Sequence, residues 1–147
     1  MLDLLKRLLA PVPQPLNAID ARLALSALMV RLARADNQYD LSEAAEITRI
    51  LMERYGLDHD AAEELRSQAE EVESQAPDTV RFTRAIKDSV PYDDRAQVVE
   101  ALWQVALADG RRDVEENGLM RLVVSLLGVN DRDSALARQR VEARLLR

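Results

Sequence analysis

Ala35-Asp36-Asn37-Gln38-Tyr39-Asp40-Leu41-Ser42-Glu43 and Ala108-Asp109-Gly110-Arg111-Arg112-Asp113-Val114-Glu115-Glu116 are two copies of one signature, 73 positions apart. Both read A-D-[NG]-x-x-D-x-x-E, and both follow a strongly apolar run. A unit repeated at a fixed interval is read before anything else, because it sets the architecture into which every other segment must fit.

The runs before the two copies are apolar nearly all round: Leu23, Leu25, Leu28, Met29, Val30 and Leu32 in the first, Val98, Val99, Leu102, Trp103, Val105 and Leu107 in the second. Helices of that kind belong in an interior. The first spans about Asn17 to Ala35; the second opens after Pro91, with Asp93 and Asp94 in its first turn, where the helix dipole favours acids. Each signature then starts an amphipathic helix. One begins at Asp40, carries Ile47, Ile50 and Leu51 and stops at Gly56; the other begins at Asp113, carries Leu119, Met120, Val123, Val124 and Leu127 and stops at Gly128. Further helices are expected from Asp58, from Asp78 to Ser89, and from Asp131 to Leu146. The predicted fold is all-α: one domain of about seven helices, arranged as two pseudo-symmetric helical hairpins around the two central apolar helices. The helices from Asp58 and Asp78 would lie between the hairpins.

Residues 1–15 form a separate leader. Leu2, Leu5 and Leu9 share a face of a short amphipathic helix, predicted to dock on its own domain, and Pro11, Pro13 and Pro15 stiffen the linker behind it. The helical domain is expected to occupy residues 16–147. At 147 residues, 48% hydrophobic and 31% charged, the chain can bury a substantial core. No apolar run approaches the roughly 20 residues that cross a bilayer. The absence of cysteine excludes disulfides, thiolate metal sites and cysteine nucleophiles, and suits a cytoplasmic location. A net charge of −6 argues against nucleic acid, whose phosphates require a basic patch.

Within each signature the acids divide. Gly110 and Asn37 lie just past a helix end, where a left-handed residue closes the last turn. Asp40 and Asp113 fit the N-cap of the next helix, and Glu43 and Glu116 fall three residues later, completing a D-x-x-E capping box. Asp36 and Asp109 instead sit at helix C-termini, where the dipole disfavours negative charge. They must accept amide hydrogens, pair with Arg34, Arg111 or Arg112, or bind a cation. Calcium or magnesium would suit such oxygen donors. The EF-hand spacing fails, because the bidentate acid at its twelfth position would be Ile47.

Other chemistry has little support. His59 is the single histidine, and Gly56, Gly110, Gly118 and Gly128 stand apart rather than in a phosphate loop. No enzyme activity is expected. From Asp58 to Asp78 there are eight acids against Arg66 alone, and within that stretch Glu63, Glu64, Glu70 and Glu71 form a candidate docking face for a basic partner.

The doubled signature, the Tyr55-Gly56-Leu57 helix stop, the Arg81-Phe82-Thr83 stretch and the Val99-Glu100-Ala101-Leu102-Trp103 run resemble the TerB family of tellurite resistance proteins over roughly Ala18 to Val141. That resemblance implies a non-catalytic, all-helical stress-response module of the bacterial cytoplasm, peripheral at the inner membrane. Its implied partners are a TerC-type membrane protein and calcium-binding TerD-type proteins. The family's repeated acids, proposed there as metal ligands, correspond to Asp36, Asp40, Glu43, Asp109, Asp113 and Glu116. Asn37 departs from the family, where glycine is usual. The alternative is a pure interaction scaffold whose acidic helix docks a partner and whose loop acids are only caps.

Overall fold

The computed structural model describes residues 18–35, 39–76, 78–108 and 114–146, without the side chains of 18–20 and 114–117. Seven helices and no strands occur among the described residues. They are α1 (Ala18–Arg34), α2 (Leu41–Tyr55), α3 (His59–Gln75), α4 (Val80–Ser89), α5 (Tyr92–Leu107), α6 (Val114–Leu126) and α7 (Asp131–Leu145). The predicted leader and its proline linker lie outside the described residues.

The helix boundaries follow from local chemistry. Asp40, Asp58 and Asn130 each accept the amide hydrogen three residues ahead, from Glu43, Ala61 and Asp133 at 3.0, 2.8 and 2.8 Å. Each side chain thus satisfies an amide that its helix leaves without a partner. Gly56 takes a left-handed φ of 62° at the end of α2, and Gly128 takes 75° after α6. A residue with a Cβ adopts that conformation only with strain. Pro91 precedes α5 and needs no amide hydrogen there.

Helix α1 is the centre of the domain. Leu25, Leu28, Met29, Val30 and Leu32 are all within 2% of complete burial, so the helix is enclosed on nearly every side. It packs on α3, α4 and α5, and α5 packs in turn on α7. The two apolar helices therefore meet, as the sequence leads one to expect. Each rests most broadly on a helix other than the one that follows it: α1 on α3, and α5 on α7. Small side chains explain the choice. Ala62 and Ala69 of α3, and Ala137 of α7, are fully buried and let the helix backbones approach closely. Trp103 of α5 is closed over by α7, where its Nε1 donates to the Ser134 hydroxyl at 3.2 Å and the Arg138 guanidinium lies 5.1 Å from the ring centroid.

Met29 of α1 and Leu102 of α5 occupy matched places in the two copies, and both are buried to within 1%. Truncating either to alanine removes several packed atoms and leaves a void. Met29→Ala and Leu102→Ala are each expected to cost about 2–5 kcal/mol, read from urea denaturation midpoints.

Candidate functional site: the first acidic loop and its charged support

The first signature passes from α1 to α2 through Tyr39 and Asp40. Asp40 is exposed, and its Oδ1 accepts both the Glu43 amide at 3.0 Å and the Ser42 hydroxyl at 2.8 Å. Those bonds, the amide foremost, hold its carboxyl below the usual carboxylate range. The capping role expected of Asp40 is therefore present. Glu43 is half-buried on the first turn of α2. Asp36, Asp109 and Asp113, and the side chain of Glu116, lie outside the described residues. Among the described residues, no group of three or more His, Asp or Glu side chains is placed to hold a metal ion.

Around Tyr39 lies a charged network that links α1, α2 and α3. The Tyr39 hydroxyl donates to Glu70 Oε2, and that oxygen also receives Arg66 Nη1 at 2.8 Å. Arg66 Nε donates to the Thr48 hydroxyl on α2 at 2.9 Å. On the other side of Tyr39, the Arg34 guanidinium lies 5.2 Å from the ring centroid and donates to Glu73 Oε2 at 2.7 Å. Arg31 completes the set: it donates to Glu73 Oε1 at 3.3 Å, to the Thr79 hydroxyl at 3.3 Å, and to the Ala76 and Glu73 carbonyls at 2.8 and 3.2 Å. Glu73 itself is buried.

This arrangement sorts the predicted docking face. Glu63, Glu64 and Glu71 are exposed on α3, whereas Glu70 turns inward to Tyr39 and Arg66. Of the four acids proposed to meet a partner, Glu70 is engaged internally. His59 stands exposed at the start of α3, its nitrogens 3.8 Å from Asp60 and 3.7 Å from Glu63. Arg34, one of the cations considered for Asp36, is engaged by Glu73 and the Tyr39 ring.

The residues that sequence reasoning missed are Arg31, Glu73, Thr48 and Thr79. The signal for Arg31 and Arg34 is faint but legible: two arginines three apart near the end of an otherwise apolar helix need acceptors inside the domain. Arg66, the lone base in an acidic stretch, carried the same message.

A comparison with protein families matches residues 22–139 to the family described as tellurite resistance protein TerB. The chain belongs to the TerB family. The match runs from the second turn of α1 into α7, and so takes in both signatures and the network around Tyr39. No curated protein and no solved structure matches the chain. Among the described residues, no helix of this TerB domain is long and apolar enough to cross a membrane.

Two outcomes follow from the network. Glu73→Ala leaves Arg31 partly buried without its carboxylate and should cost on the order of 3 kcal/mol, while the exposed Glu64→Ala stays within about 0.5 kcal/mol, both by chemical denaturation. Burial, followed by the bond to Glu70, pushes the Tyr39 phenol up to about 12. The folded state thus holds its proton more tightly than an unfolded tyrosine, whose value is about 10. Its contribution is complete below about pH 10 and is lost as pH rises through about 12. The stability gap between the native chain and Tyr39→Phe should therefore shrink over that interval.

Proposed function

We propose that this TerB-family chain is a non-catalytic module that holds a divalent cation, calcium or magnesium, at its two acidic loops. On this reading it acts as the partner-binding component of a stress-response assembly in the bacterial cytoplasm, beside TerC-type membrane and TerD-type proteins. The observation that carries the reading is the doubled A-D-[NG]-x-x-D-x-x-E within the matched span. Helix capping accounts for Asp40, and by the same spacing for Asp113, but it does not account for Asp36 and Asp109. Capping and metal binding are also compatible at Asp40. Both side-chain bonds described above fall on Oδ1, so a cation would be met through Oδ2. Hard cations take several such carboxylate oxygens together with loop carbonyls.

Calorimetric titration of the chelator-treated protein with calcium and then magnesium tests the reading. Saturable heat is expected, with stabilisation of about 2.7 kcal/mol when free ion exceeds Kd a hundredfold. Asp109→Asn should lose the second loop's share of that heat. No heat, together with an unchanged melting temperature, would refute the metal assignment.

A second reading draws on the exposure of Glu63, Glu64 and Glu71. On this reading the domain is a scaffold that meets a basic partner through the outer face of α3. Lysine at all three positions should then abolish capture of a TerC-type or TerD-type partner, and chelators should change nothing. Capture that survives the triple variant but fails in chelator would return the weight to the loops.

A further inference from the structure

A cleft of about 880 Å³ opens between α2, α5 and α7, lined by none of the residues of the Tyr39 network. That volume lies within the roughly 300–1,000 Å³ typical of small-molecule sites. Ile50, Ala101 and Val141 give it an apolar wall, and Tyr55, Gln97 and Gln104 add neutral polar groups.

The charges around it are unevenly matched. Arg140 and Arg144 of α7 both reach Oε1 of a single carboxylate, Glu100 of α5, at 3.4 and 3.0 Å. Arg54 of α2 comes to the same stretch of α5, donating from Nη1 to the Gln97 carbonyl at 3.0 Å, one turn before Glu100. Among the described residues Arg54 has no carboxylate partner, and its buried Nε has no acceptor at all. Arg49, on the other flank, is paired with both Glu46 and Glu53 of its own helix. Four guanidinium groups thus stand against three carboxylates, a local surplus of one positive charge in a chain whose net charge is −6.

Helix-end arginines ordinarily offset the carbonyls of their own last turn. That explanation does not cover Arg54, which leaves its own helix end for a carbonyl of α5. Nor does it cover two α7 arginines sharing one acid. A buried guanidinium N–H without an acceptor is costly, and Arg54 bears that cost at the wall of the cleft. The planar guanidinium matches oxyanions in a two-pronged geometry, the local surplus is positive, and a phosphate ester offers three terminal oxygens to neighbouring guanidinium groups where a carboxylate offers two.

We propose that this cleft binds a small organic phosphate, its phosphate group held by Arg54 and Arg144 and its organic body against Ile50, Ala101 and Val141. Glu100 holds Arg140 and Arg144 together and competes with the ligand for Arg144. The site is independent of the cation reading of the loops.

Phenyl phosphate, inorganic phosphate and benzoate, titrated into the full chain and followed by two-dimensional NMR and calorimetry, test it. Phenyl phosphate is expected to saturate and to shift resonances of α2, α5 and α7, binding more tightly than either of the others. Arg144→Gln, at an exposed position, should weaken it about tenfold, the weight of one charge-assisted bond, as should Arg54→Gln. Glu100→Gln should tighten it by removing the competing carboxylate, an effect that a merely structural role for the arginines would not produce. Absence of saturable binding, or equal affinity in Arg144→Gln and the native chain, would overturn the proposal. Inorganic phosphate binding as tightly as the ester would overturn the part assigned to the organic body.

Discussion

The domain depends on one electrostatic constraint: α1 is buried on nearly every side, yet it carries Arg31 and Arg34 in its last turn. A guanidinium taken from water into such a place needs acceptors with good geometry, or the burial fails. Glu73 supplies both carboxylate oxygens, one to each arginine, and the Glu73 and Ala76 carbonyls with the Thr79 hydroxyl take three further Arg31 hydrogens. The exit of α3 and the entry of α4 are thereby fixed to the end of α1. Tyr39, just ahead of α2, is held against the same cluster by the Arg34 guanidinium and Glu70.

That dependence explains why the acidic stretch from Asp58 to Asp78 is less uniform than its sequence suggests. A stretch bearing eight acids reads as a solvated or partner-seeking face. In three dimensions it is two faces. Glu63, Glu64 and Glu71 look outward, while Glu70 and Glu73 look inward and neutralise arginines from α1 and from α3 itself. Period alone distinguishes the two groups only when the buried stripe is known, and on α3 that stripe is marked by small residues, Ala62 and Ala69, rather than by large apolar ones.

The fold was otherwise legible, because its signals are local. Asp40, Asp58 and Asn130 act as N-caps, Gly56 and Gly128 close their turns at positive φ, and Pro91 opens α5, each for a reason contained within a few residues. Periodicity identified α1 and α5 as central helices, since neither has a polar face wide enough for the surface. The partner choices of those helices were not legible, because Ala62, Ala69 and Ala137 determine close approach by what they lack. Asp40 could be read as a cap, but Thr48 and Thr79 could not be read as members of a charged network, since their partners are 18 and 48 residues away along the chain.

Trp103 gives the molecule an unplanned reporter. It is the chain's one tryptophan, and it sits between α5 and α7 with Ser134 on its nitrogen and Arg138 over its ring. Its emission therefore reports the contact of α5 with α7, whereas tyrosine emission comes from Tyr39, Tyr55 and Tyr92 together. This TerB-family chain thus carries one native optical probe of known place. Whether α7 leaves α5 before the rest of the domain unfolds is a question of spectroscopy that requires no label.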